Sequence, residues 1–380
     1  MPRPTPPTSA SQFSKGELTT LRKAARNWYA KHARDLPWRR TGDPYRIWIS
    51  EIMLQQTTVV AVVPYFERFL QRFPSVKELA AASQDEVLKY WEGLGYYSRA
   101  RNIHKAAGEV MTQFGGTFPR TVDELHLLPG IGRYTAGAIM SFAFNLRAPI
   151  VEANTLRLYC RLMGYDENPR STAGQRALWA FAEELVPDND PGVINQALME
   201  LGSQVCTPTS PKCDDCPLHS VCRAFTTGRQ HELPQLASRP EITSLIEYSI
   251  AIRQDDRFLL RKNPEGQRWA GLWDFVRLSS VDEGLLPERG LHADRAIPAK
   301  LARAVEQVTL ASSGCETRLA QFITEIKHSV TRYRIRLQCL IADWENGQPT
   351  GSDIRWLQPD EFDEVPLSVT GRKFARLLQQ

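Results

Sequence analysis

The stretch LLPGIGRYTAGAI, residues 127–139, decides the reading of this chain. Pro129, Gly130 and Gly132 make a tight turn that opens a helix. Glycines at such a turn let backbone N–H groups approach a phosphate, and the helix N-terminus favours the anion. A lone G-x-G is a weak signal, because many helices begin after a glycine; the full string is stronger. Contacts of this kind hold a nucleic-acid backbone without reading its sequence.

Outward from this turn, residues 16–228 read as almost entirely helical, with apolar residues at three- and four-residue spacing and Gly and Pro breaks between segments. Asp43-Pro44 is a helix start, an N-cap followed by proline at the first helical position. The segment YRIWISEIMLQQTTVVAVV (45–63) is expected to run as one helix to Pro64. Residues 1–15, rich in Pro, Ser and Thr, read as a disordered tail. Residues 229–241, with two prolines and few large apolar residues, read as a linker.

From 242 to 380 the pattern changes. SLIEYSIAIRQDDRFLLRKN (244–263) alternates and turns at Gln254–Asp256 like a hairpin, TRYRIRLQCLIADWE (331–345) is β-like, and KLARAVEQVTL (300–310) has helical spacing. The expected architecture is therefore multidomain: an all-α domain followed by an α+β domain. The chain has 380 residues, 42% hydrophobic, so each domain can bury a core. No apolar run approaches a membrane span, and the N-terminus lacks an apolar signal core, so a cytoplasmic protein is expected. A net charge of +4 is compatible with a polyanionic partner.

Three features carry chemistry. Cys206, Cys213, Cys216 and Cys222 follow C-x6-C-x2-C-x5-C, with a single C-x2-C knuckle where a zinc ribbon offers two. Four thiolates in a compact loop suit a [4Fe–4S] cluster, zinc being the alternative, and its binding energy can serve folding alone. Glu51 stands on an apolar helix beside Ile47, Trp48 and Leu54. A carboxyl there must be paired, functional or at a cavity, and desolvation would raise it toward a general acid. In PIVEANTLRLYCRL (149–162), Glu152 and Asn154 precede a helix. They are either capping residues or a second carboxylate and an amide lining a pocket. Cleaving a glycosidic bond calls for two carboxyl groups, one to protonate the leaving group and one to stabilise or attack the sugar.

Taken together, LPWR (36–39), SEIMLQQT (50–57), GLGYYSRARN (93–102), LPGIGRYTAGAI (128–139), NQALMELG (195–202) and the cysteine loop resemble adenine DNA glycosylases of the MutY type. These belong to the helix-hairpin-helix superfamily that includes endonuclease III. The resemblance covers roughly Leu36 to Cys222. It implies a helical glycosylase domain with an iron–sulfur loop at 206–222, then a Nudix-like domain, in which RWAGLWDFVRL (268–278) resembles a family strand. KLARAVEQVTL carries only Glu306, so the hydrolytic Nudix box is absent.

The resemblance also implies roles. Glu51 would protonate departing adenine, Glu152 would be the second carboxylate, and Tyr134 and Asn154 would complete the catalytic set. Gln56 and Tyr96 would wedge into the duplex, Thr57 and Leu94 would lie near the opposing base, and Gly130 and Gly132 would hold the backbone. Trp38, Arg39 and Leu54 would shape the adenine pocket. The implied activity is monofunctional excision of adenine mispaired with 8-oxoguanine or guanine in double-stranded DNA, by a monomer at the nucleoid. Endonuclease III-like enzymes place a Schiff-base lysine where this chain has Tyr134, and a phenol forms no imine. The alternatives are a glycosylase/lyase of that type and a non-catalytic DNA-damage binder.

Two departures stand out. Glu152 and Ala153 occupy positions where the family has aspartate and glycine; glutamate reaches one methylene further, and misplacing a catalytic group by ~1 Å can cost ~100-fold in rate. In KHSVTRYRI (327–335), Val330, Thr331 and Arg332 stand where the family's lesion-reading loop has Phe, Ser and His. Thr331 keeps a hydroxyl, Arg332 adds a charge suited to a phosphate or a purine edge, and His328 is either part of the reading loop or a surface histidine.

Overall fold

Helix starts in the first half of the chain are set by capping side chains. Ser14 accepts from the Glu17 N–H and Glu17 reaches back to Ser14, a capping box opening α1 (Lys15–His32). Asp43 accepts from the Tyr45 N–H at 2.9 Å and Pro44 supplies the first residue of α2 (Pro44–Leu54). The chain continues through α3 (Val59–Arg72), α4 (Val76–Ala81), α5 (Gln84–Trp91), α6 (Ser98–Gln113), α7 (Val122–Leu127) and α8 (Arg133–Ala138). After these come α9 (Ala153–Met163), α10 (Thr172–Leu185), α11 (Pro191–Gln204) and α12 (Arg223–Thr226). The computed structural model describes residues 13–236, 241–279, 291, 297–351 and 353–380.

The chain divides into two compact units, one formed by residues up to Ala81 with Lys105–Ser238, the other by Ala82–His104 with Arg239–Gln380. Residues 82–104 therefore pack with the C-terminal part of the chain, although their spacing continues the helical region. In the first unit, α1, α9, α10 and α11 share one core, built on Leu21, Leu158, Tyr159, Phe181 and Leu198. No helix among the described residues is long and apolar enough to cross a membrane.

Three local expectations are corrected. The helix expected over 45–63 is two helices, α2 and α3, separated by Gln55–Thr58, with Gln56 in the left-handed region (φ 57°). Pro64 lies inside α3 and does not end it. The expected disordered tail shrinks at its C-terminal end: Phe13 is buried and Ser14 caps α1, while residues 1–12 lie outside the described residues. The first part of the expected linker is packed down. Arg229 pairs with Asp166 and Glu232, and the Leu233 carbonyl accepts from the buried Arg161 at 2.9 Å.

The second unit is a mixed sheet of β1 (Thr243–Gln254), β2 (Arg257–Lys262), β3 (Trp273–Asp274), β4 (Val276–Ser279), β5 (Cys315–Val330), β6 (Tyr333–Gly347) and β7 (Ile354–Leu357). Its main path runs β3-β2-β1-β6-β5, with β1 and β6 parallel at the centre; β4 pairs with β1 and β7 with β2. Residues alternate between two cores. Ile250, Ile252 and Leu340 face α13 (Ala299–Ser313), whereas Ala251, Cys339 and Ile341 share a core with Phe374 of α14 (Val369–Leu378). The hairpin expected at Gln254–Asp256 is present, with Asp255 at φ 54°.

Close backbone approach locks the helices of the first unit. A Cβ on Gly202 of α11 would stand 2.7 Å from the Asn154 carbonyl, and one on Gly137 of α8 would stand 2.3 Å from the Pro149 carbonyl. Ala is favoured over Gly in a helix interior by about 0.5–1 kcal/mol, but overpacking against backbone costs about 1–3 kcal/mol and wins. Gly202→Ala is therefore expected to lower the thermal midpoint by several degrees in calorimetry; a midpoint at or above that of the parent protein contradicts this packing.

Candidate active site

Glu51 lies on α2, where seven neighbouring positions from Tyr45 to Met53 are also buried. The residue as a whole is 4% exposed. The hydroxyl of Tyr134, from the second position of α8, donates to Glu51 Oε2. Burial pushes the Glu51 carboxyl up to about 7; the Tyr134 bond opposes the rise, the Glu152 charge adds to it and Arg39 opposes it. The Tyr134 phenol is held well above its ordinary range by burial, then by the charges of Glu51 and Glu152.

Glu152 is the N-cap of α9. Its two carboxylate oxygens accept from the backbone N–H groups of Asn154 and Thr155, both at 2.8 Å, and Thr155 returns a bond to the Glu152 N–H. Both readings of this residue hold at once: it caps the helix and it lines the cavity. Burial raises its carboxyl, while the two backbone donors and Arg157 favour the ionised form. Two carboxyl groups in one low-dielectric cavity do not both ionise freely. The donors around Glu152 favour its anion, and burial favours the proton on Glu51. Asn154 is oriented by Arg157, whose Nη2 donates to Asn154 Oδ1 at 2.9 Å and to the Gly202 carbonyl at 2.6 Å.

Both carboxyl groups open onto one cavity of about 500 Å³, which Tyr134, Asn154, Trp38, Arg39, Leu54, Gln56 and Thr57 also line. Trp38 is buried and meets Phe66 edge-on at 5.3 Å, so packing and pocket lining are both its work. Residues missed in the sequence line it too: Arg34, Gln55, Phe142, Gln196 and Glu200. The signal for Gln196 and Glu200 was their four-residue spacing, which puts both on one face of α11.

Gly130 takes φ 79°, a conformation glycine adopts without strain, and Gly132 caps α8 with no atom within 4 Å of where a Cβ would be. The turn is thus formed, with open space beside it. In the second unit, Leu94, Tyr96, Trp269, His328, Val330 and Thr331 line a separate cavity of about 520 Å³. Tyr96 is half exposed there and Leu94 is buried. His328 Nε2 is buried without a hydrogen-bond partner, and burial with nearby Arg277 pushes the imidazole down to about 4. Arg332 does not line this cavity; it stacks over Tyr333 and donates to its hydroxyl at 3.0 Å. Glu306 accepts from the Leu319 N–H at 2.8 Å. Gln56, Tyr96 and Thr331 all hold positive φ (57°, 45° and 51°), a strain of roughly 1–3 kcal/mol each that is usual at functional positions.

Cys206, Cys213, Cys216 and Cys222 line one small cavity with Leu158, Leu162 and Phe225. Arg161, 2% exposed, donates to Cys206 Sγ at 3.3 Å and to the Thr207 and Pro208 carbonyls. Burial pushes Cys216 up to about 12 and raises Cys213 and Cys222. Among the described residues, no three His, Cys, Asp or Glu side chains are arranged to hold a single metal ion.

Residues 49–184 match the family described as HhH-GPD superfamily base excision DNA repair protein, and residues 248–377 match the NUDIX domain. The chain is 44% identical to the adenine DNA glycosylase of Homo sapiens, across 96% of this chain and 74% of that protein. The chain belongs to the adenine DNA glycosylase family. It is also 32% identical to the Rattus norvegicus member, across 96% of this chain and 79% of that one. Among solved structures, a thermostable thymine-DNA glycosylase aligns with 56% of this chain and 98% of its own at TM-score 0.52 and 30% identity. Within this family the chain is a base-excision repair glycosylase of the monofunctional kind, with a helical glycosylase domain and a Nudix-like domain.

The Tyr134 bond makes a testable demand. It favours the Glu51 anion, so Tyr134→Phe removes a lowering influence and the carboxyl should titrate above its present value near 7. Difference infrared spectroscopy of the free protein over pH reads the Glu51 carboxyl band directly. A midpoint moving down on this substitution contradicts the arrangement.

Proposed function

We propose that this chain hydrolyses the N-glycosidic bond of adenine mispaired with 8-oxoguanine or guanine in double-stranded DNA, acting as a monomer on the nucleoid of the cytoplasm. The observation that carries the proposal is the cavity that Glu51, Tyr134 and Glu152 share, in which burial favours the proton on Glu51 and two backbone N–H groups favour the Glu152 anion. Glu51 donates its proton to a ring nitrogen of the extruded adenine. The electrons of the sugar–base bond leave with the base, and the Glu152 carboxylate faces the cationic sugar that results. Water then adds to the sugar carbon and releases its proton to a carboxylate. Asn154 holds that side of the cavity, and Trp38, Arg39 and Leu54 bound the base.

Extruding a base costs a few kcal/mol, and side chains inserted into the stack recover part of it. Gln56 and Tyr96 suit this task because each is exposed at a left-handed backbone position. Gly130 and Gly132 hold the backbone, and Thr57 faces the base opposite the adenine. Tyr134 supports hydrolysis over lyase chemistry, since a phenol forms no imine.

The four cysteines would hold a [4Fe–4S] cluster, whose binding would stabilise the fold of the loop. The donor set fits it. Four thiols surround one apolar cavity, and the buried Arg161 stands ready to balance thiolate charge.

Single-turnover excision tests the chemistry. Glu51→Gln is expected to lose about 10²–10⁴-fold in rate while still binding DNA, and Glu152→Gln to abolish excision with binding kept. The parent protein should release adenine faster opposite 8-oxoguanine than opposite guanine; retained full activity in either variant, or equal rates on the two duplexes, contradicts the corresponding part. The purified protein should show a broad absorbance band near ~400 nm, whereas a colourless protein with stoichiometric zinc contradicts the cluster.

A further inference from the structure

Glu200 of α11 borders the active-site cavity, and its side chain is 1% exposed. A buried ionised carboxylate is costly unless it is paired and hydrogen-bonded. Oε1 accepts from Arg34 Nε at 2.6 Å, from the Arg34 backbone N–H at 3.3 Å and from the Gln204 amide. Oε2 accepts from Arg34 Nη2 at 3.0 Å and from Arg39 Nη2 at 2.7 Å. Arg39 Nη1 in turn donates to the Arg34 carbonyl at 3.1 Å. One carboxylate thus binds two guanidiniums to each other and to the wall of the cavity.

The charge count gives this arrangement a purpose. The ionisable groups lining the cavity are Arg34 and Arg39, Glu51 on α2, Tyr134 on α8, Glu152 at the start of α9, and Glu200 on α11. Two uncompensated arginines beside Glu51 would favour its anion and strip the proton that an acid must carry. Arg39 already acts in that direction on Glu51. We propose that Glu200 is a positioning residue that fixes both guanidiniums and cancels one of their charges, so that an electropositive pocket wall coexists with a protonated Glu51. The inference rests on the reading of Glu51 as the acid in adenine excision. Burial disfavours the Glu200 charge, but the bonds from Arg34 and Arg39 outweigh it and hold the carboxyl down to about 2, so the clamp is charged throughout the working range.

The test is single-turnover adenine excision by the full-length protein from pH 5 to 9, comparing the parent with Glu200→Gln, Glu200→Asp and Arg34→Gln. The basic limb of the parent profile reports loss of the Glu51 proton. Glu200→Gln should move that limb down by about one pH unit, which is about tenfold in rate on the basic side and little on the acid side. Glu200→Asp, which keeps the charge, should restore the parent limb, and Arg34→Gln, which removes a positive charge, should move it up. A uniform loss across pH in Glu200→Gln, or a parent-like profile, overturns the proposal. If Glu200→Gln does not fold by circular dichroism, the Arg34→Gln limb decides: upward supports the charge balance, unmoved or downward overturns it. A parent protein that releases no adenine at any pH overturns the excision reading itself, and this inference with it.

Discussion

A buried glutamate, bonded to a tyrosine hydroxyl and sharing its cavity with a second carboxyl, is the constraint around which the first unit is arranged. Such a group is unfavourable in a protein interior unless its surroundings satisfy it and its proton stays in place. Satisfying Glu51 requires α8 to present Tyr134, and keeping Glu152 charged requires the first N–H groups of α9. Gly137 of α8 lets the Pro149 carbonyl come close, and Gly202 of α11 lets the Asn154 carbonyl of α9 come close, where a Cβ would clash. Arg157 then ties Asn154 to α11 and to the Cys206 carbonyl, where the cysteine loop begins. The chemistry of the cavity and the packing of the unit are therefore one problem with one solution.

Much of this was legible in the residues. Asp43-Pro44 announced α2, the turn at Pro129–Gly132 announced α8, and a glutamate among Ile47, Trp48 and Leu54 announced a functional or paired carboxyl. The alternation of Ile250, Ala251 and Ile252 announced a strand, and the structure adds that both faces are covered. What escaped was set by tertiary contact. The break at Gln55–Thr58 leaves apolar spacing intact on both sides, so periodicity alone carried one helix through it. Residues 82–104 have ordinary helical spacing, and only their packing assigns them to the second unit. Glu200 was visible as part of NQALMELG, but its partners lie about 160 residues away, at Arg34 and Arg39.

The positions that depart from local preference are also informative. Gln56, Tyr96 and Thr331 hold left-handed backbone without being glycine, and Thr331 is β-branched, the costlier case. Glycine at each would relieve the strain and forfeit the side chain. The chain keeps an amide, a phenol and a hydroxyl there, each exposed, which is intelligible when those groups meet a partner that the free protein lacks. The Glu152 side chain folds back onto two N–H groups of its own helix and still lines the cavity.

The central claim is that the proton shared by the two carboxyl groups resides on Glu51 near neutral pH. Carbon-13 NMR of protein labelled at the glutamate carboxyl carbons measures this directly, with the two resonances assigned by Gln substitution. The account predicts that the Glu51 signal titrates near pH 7 while Glu152 is ionised first as pH rises. A Glu51 carboxyl that ionises in the ordinary range near 4.5, or a Glu152 that retains its proton after Glu51 has lost one, would contradict it.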